Sequence, residues 1–194
     1  MLSLDNLSPY LPDVYLHARL RPQPGGALLL HYSLVNKGVR TLGLYDGIPA
    51  RESPIQAYSD AEGMLLTIRH TLLPRLPLGM GLVRAPTIPT ATLVPAGATV
   101  EREMLLPPGM RLYNPLHDGA SAFTEPGAPA PRTRTLEVAS IALRVGVWRV
   151  MSPGAYPPAP GDPSRVLGPS FDHGQIVLLA LLMLDELFPV EQPM

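Results

Sequence analysis

Cysteine is absent from this 194-residue chain, which excludes disulfides and thiolate metal centres. Lysine is almost absent: Lys37 is the only one among 15 basic residues, the rest being arginine. The formal net charge is -1 and no block of like charge occurs, so the basic stripe that phosphate neutralisation requires is missing and no nucleic-acid partner is expected. Long apolar runs are missing too. The longest, Ile176 to Leu184, falls far short of the roughly 20 residues that cross a bilayer as a helix, so no membrane span is expected. The opening residues, MLSLDNLSPYLPD, carry neither a basic n-region nor a sustained apolar h-region. No signal peptide is visible in them, and the expected compartment is the cytoplasm.

Proline and glycine, by contrast, are abundant, at 25 and 17 residues. Proline removes a backbone donor and clashes inside a helix, so long helices are disfavoured. Between these breakers the apolar residues alternate. Val14, Leu16, Ala18 and Leu20 share one face of a segment; so do Leu28, Leu30, Tyr32 and Leu34; Met64, Leu66 and Ile68; Val100, Met104 and Leu106; and Ala139, Ile141, Leu143, Val145 and Val147, with Arg144 and Trp148 behind. A period of two is the mark of half-buried strands. The expected fold is all-β: an antiparallel sandwich of about seven strands in a single domain, residues 1–194, with two long proline-rich loops at 107–135 and 151–174.

Two local readings follow. Asn36-Lys37-Gly38 interrupts two alternating runs, which predicts a tight hairpin with Gly38 at positive φ and Lys37 in water at its tip. The final segment, QIVLLALLMLDELF, is apolar on every side. It reads as a central last strand paired with Ala139 to Val147, with an apolar C-terminal helix as the alternative. As a strand it needs a layer over each face, and the second layer would be a long loop or another subunit. A homo-oligomer is therefore expected.

LHYSLVNKGVRTL, then the Asp-x-x-Gly turn of SDAEGMLL, then the Pro-x-Gly of LVPAGATVEREMLL resemble the immunoglobulin-like (Ig-like) sandwich modules of bacteria, among them the intracellular proteinase inhibitor family. The resemblance spans about half the chain, Leu28 to Leu106, and implies an Ig-like fold. It contains no reactive-site motif, so inhibition does not follow from it.

The residues suited to chemistry are few. His17, His31 and His70 fall on the polar faces of expected strands, where no function is needed. His117-Asp118 and Asp172-His173 pair imidazole with carboxylate, as metal or acid/base sites do. They lie in loops expected at opposite ends of a strand about 33 Å long, so a shared site would need one loop to fold back. No nucleophile elbow or phosphate-binding glycine loop is present, since Gly119-Ala120-Ser121 lacks the second glycine. No catalytic residue, metal site or cofactor is assigned. Tyr113, Phe123, Tyr156 and Phe171 are loop aromatics that would either anchor a protein partner or pin the loops to their own domain. The leading expectation is a non-enzymatic module that binds a protein partner or itself. A metal-dependent or hydrolytic enzyme using the two His/Asp pairs is the first alternative, and a proteinase inhibitor the second.

Overall fold

Alternation is realised directly as pairing. Val14–Pro22 (β2) buries Val14, Leu16, Ala18 and Leu20, and Leu28–Asn36 (β3) buries Leu30, Tyr32 and Leu34. The two run antiparallel from Val14↔Asn36 to Pro22↔Leu28 around Pro24-Gly25-Gly26, where both glycines have φ of 78°. Thr99–Leu106 (β8) adds to the other edge of β3, completing a three-stranded sheet.

The computed structural model describes residues 3–4, 10–47, 55–59, 64–70, 89–112, 132–169 and 175–193; within them thirteen strands form two sheets, and no helix is long and apolar enough to cross a membrane. The larger sheet has ten strands. Its main path is Ser3–Leu4 (β1), Ile176–Pro193 (β13), Thr133–Arg149 (β10), Leu42–Gly47 (β4), Thr90–Val94 (β7), Asp162–Leu167 (β12) and Pro158–Ala159 (β11). Leu65–His70 (β6) runs parallel to β10 and carries Ile55–Ser59 (β5) on its far side, while Met110–Arg111 (β9) runs parallel to β13. The 17-residue β10 thus gives one edge to β13 and divides the other between β6 and β4.

The main core lies between the sheets. Leu16, Leu30 and Leu34 from the small sheet meet Leu44, Leu66, Ile68, Ile141, Leu143, Val145, Leu178, Ala180 and Leu182 from the large one. This is an all-β sandwich, as the alternation predicts. A second, smaller core sits on the outer face of the large sheet, where Tyr45, Ala91, Trp148 and Val150 are covered by Tyr156 and Val166. Its geometry depends on Gly43, since a Cβ there would lie 2.2 Å from the Trp148 ring.

Several local expectations are corrected. Asn36-Lys37-Gly38 does not close a hairpin, because β3 and β4 belong to different sheets. It is a corner between layers, and Gly38 is not among the glycines with positive φ. The reason is Asn36, which is 1% exposed: its Nδ2 lies 2.9–3.0 Å from the carbonyl oxygens of Arg40, Val94 and Pro95, and its Oδ1 accepts from the Gly38 N–H. Lys37 is exposed, as expected, with Nζ 5.0 Å from the centroid of the Tyr15 ring. The segment 151–169 is not one long loop, since β11 and β12 lie in it and β12 joins the large sheet through β7; β9 likewise lies within 107–135. In β10, Val138 is buried instead of Ala139, because a bulge between Val138 and Ser140 resets the alternation.

The C-terminal segment is a strand, antiparallel to β10 from Val147↔Ile176 to Thr133↔Pro193. Only one of its faces is buried within the chain. Leu178, Ala180 and Leu182 are in the core, whereas Val177, Leu179 and Met183 are 42–50% exposed.

Candidate functional site

Two features depart from an ordinary sandwich: a buried charge cluster and an exposed apolar face. The cluster starts with Asp46, whose side chain is wholly buried. Leu42 and Leu44 set the inward parity of β4, and Asp46 continues it at a bulge in the β4–β7 pairing. Across the sandwich, Arg102 occupies the inward parity of β8 beside Met104 and Leu106. Burying a carboxylate is costly unless it is paired and hydrogen-bonded, and here both conditions are met.

Asp46 Oδ2 accepts from Thr92 Oγ1 at 2.7 Å, from Arg102 Nε at 2.8 Å and from Arg102 Nη2. Arg102 Nη2 also donates to Thr92 Oγ1 at 2.7 Å. Oδ1 has no hydrogen-bond partner among the described residues, but Arg165 Nη1 approaches it to 3.7 Å, and the same nitrogen donates to the Asp46 carbonyl at 3.3 Å. Arg165 is itself steadied by Asp162, its Nε 3.3 Å from Oδ2. Hydrogen bonds from Ser164 hold the Asp162 carboxyl below its usual range. The Tyr32 phenol, pushed up first by burial and then by the Asp46 charge, stays protonated well above its ordinary value.

With its side chain wholly buried and Oδ2 saturated by Thr92 and Arg102, Asp46 is closed to a substrate. What the arrangement can do is clamp: β4 and β7 of one sheet are tied to β8 of the other through a single carboxylate.

The exposed face belongs to β13. Alternation turns Val177, Leu179, Leu181 and Met183 away from the core, and Leu187 is 55% exposed beyond them. The same outer side of β10 presents Ser140, Ala142, Arg144 and Gly146 as cross-strand partners. Trp148 lies further along that side and is covered; between Gly146 and Ser140 the side chains of Leu179 and Met183 stand open, with the half-buried Leu181 and its buried partner Ala142 between them.

Of the loop aromatics, Tyr156 packs edge-on against Trp148 with ring centroids 5.8 Å apart, and Trp148 meets Tyr45 at 4.4 Å, so Tyr156 pins its segment to the sheet. Tyr113, Phe123 and Phe171 lie outside the described residues, as do His117, Asp118, Asp172 and His173. His17 is exposed, its ring parallel to that of Tyr15 at 6.3 Å, and His31 Nε2 is 3.6 Å from Glu101. Among the described residues no three His, Asp or Glu side chains gather as a metal site would require.

The charge cluster was missed by sequence reasoning, yet part of its signal is in the sequence. Arg102 falls on the same parity as Val100, Met104 and Leu106, and Asp46 on that of Leu42 and Leu44. Opposite charges at inward positions of two strands are a request for each other. Arg165, from a proline-rich stretch without alternation, leaves no such trace. No family model, curated protein or solved structure matches the chain.

Proposed function

We propose that this protein is a non-enzymatic Ig-like sandwich that binds a protein partner or assembles with itself through the outer face of its large sheet. The observation that carries this reading is the open row of Val177, Leu179 and Met183, continued by Leu187. Scattered exposed apolar residues need no explanation, but a contiguous row on a regular sheet face marks an interaction surface. A sheet face open to solvent would ordinarily carry polar residues, and Glu137, exposed on the outer side of β10, shows that this chain can supply one elsewhere on the same strand. The Asp46 clamp supports the same reading, because it makes the two layers a rigid platform for that face.

The test is a Leu179→Asp, Met183→Asp double variant, compared with wild type in native extract and after purification. The expected result is an unchanged melting temperature with loss of the associated species on size-exclusion chromatography in both settings. Association that persists in the double variant would contradict the reading.

A further inference from the structure

We infer that the occupant of this face is a second copy of the same chain, stacked face to face about a two-fold axis. The inference rests on the association proposed above and adds the identity of the partner. Alternation places Arg144 on the outer face of β10, since Ile141, Leu143 and Val145 fill the core side, and its cross-strand neighbour is Leu179. Arg144 is half-buried there and, among the described residues, has no hydrogen bond or ion pair. Flanked by Leu179 on β13 and, in the register with β6, by Arg69, this positive charge has no compensating anion among the described residues.

The matching anions are at the other end of the row. Pairing jumps from Ser140↔Met183 to Val138↔Phe188, so the single residue Ala139 faces four residues of β13, Leu184 to Leu187. This wide bulge puts Asp185 and Glu186 in solvent, again without an ion pair among the described residues. Measured from the Leu181↔Ala142 pair, Arg144 lies two residues toward one end, about 7 Å, and the bulge about three residues toward the other, about 10 Å.

Closed dimers use one surface twice, so the surface must complement itself. An axis lying in the interface and crossing at Leu181↔Ala142 reverses the strand direction of the second copy. Leu179 then faces Met183 of the other copy, Leu181 faces its own counterpart, and each Arg144 comes within about one residue spacing, roughly 3 Å along the strand, of the opposing Asp185-Glu186 bulge. The small side chain of Ala142 and the bare Gly146 let the two sheets approach to the ordinary face-to-face spacing of about 10 Å. A partner of one charge sign would satisfy one end of the row and oppose the other. A second copy satisfies both.

Sedimentation equilibrium on wild type, Arg144→Glu, the Asp185→Arg/Glu186→Arg pair, and an equimolar mixture of the two variants tests this. The expected wild type is a dimer, each variant self-associates at least tenfold more weakly, and the mixture recovers dimer because both contacts then join opposite charges. Melting temperatures identify a variant that fails to fold, in which case Arg144→Gln and Glu186→Gln replace the reversals and weaken the dimer less. A monomeric wild type, another stoichiometry, or a dimer indifferent to all of these changes overturns the second-copy inference. The Leu179→Asp, Met183→Asp comparison in native extract separately decides whether the face binds anything.

Discussion

Asp46 on one sheet and Arg102 on the other close to 2.8 Å between Oδ2 and Nε, and through them the two layers share one buried charge pair. Removing Arg102 strands the wholly buried Asp46 carboxylate with only Thr92 and the more distant Arg165, whereas removing both charges takes that uncompensated carboxylate away. Arg102→Leu is therefore expected to cost about 3–5 kcal/mol in urea denaturation. Asp46→Leu combined with Arg102→Leu should recover much of that loss. A double variant as unstable as the sum of the singles would show that the two residues do not act as a pair.

The corner at Asn36 yields a prediction opposite to the one its sequence suggests. Asn36→Ala strips the buried carbonyl of Val94, and the partly buried ones of Arg40 and Pro95, of their donor and should cost about 2 kcal/mol. Gly97, with φ of 76°, is the residue at this end of the sandwich that needs glycine, and Gly97→Val should cost about 1 kcal/mol or more. Gly38→Ala, whose Cβ would approach Asn36 Oδ1 to 3.3 Å, should cost less than either. Chemical denaturation of the three variants side by side gives the order.

Much of the fold could be read from the chain, and the failures have definable causes. Period-two burial is visible wherever one face of a strand meets the core, and it located β2, β3, β8 and most of β10. The Asn-Lys-Gly turn misled because local turn chemistry is the same for a hairpin and for a corner between sheets; what separates them is the long-range hydrogen bonding of Asn36 to Val94 and Pro95. Ala139 was misplaced by a bulge, which a pattern count cannot see. The strands inside 151–169 were hidden by proline and glycine, which serve short edge strands as readily as loops. As for function, the exposed face was half legible: a segment apolar on both sides signals a missing layer but does not say which face lacks it.

Gly43 leaves no room for a side chain beneath the second core. Gly43→Ala drives a Cβ into the Trp148 ring, and overpacking of this kind costs about 1–3 kcal/mol. Trp148 is the only tryptophan, so its fluorescence should shift toward the exposed value while the strand content by circular dichroism is kept. An unshifted emission spectrum would mean that the ring does not sit over β4.

Stability should fall in alkali. Tyr32 and Tyr45 are fully buried, and burial raises both phenols well above the ordinary value of about 10. The unfolded chain releases these protons above pH 10 while the folded chain retains them, so the stabilisation present below pH 10 is lost as pH rises beyond it. Each phenol contributes a slope of about 1.4 kcal/mol per pH unit there. Urea midpoints between pH 8 and 11 should show the fall, and Tyr32→Phe should make it shallower. Midpoints that stay level to pH 11 would contradict the burial of these rings.

Whether the outer face of β13 is covered in the associated protein is answered most directly by methionine oxidation followed residue by residue. Met183 on the face and Met151 away from it are 50% and 84% exposed in a single chain, so both are open to oxidant unless something covers them. In associated wild type Met183 should be protected relative to Met151, and in the Leu179→Asp, Met183-containing variant it should oxidise at the rate its exposure allows, with Met151 unchanged. Met183 oxidising in associated wild type without protection relative to Met151, as fast as in Leu179→Asp protein that sediments as a monomer, would show that association leaves this face bare.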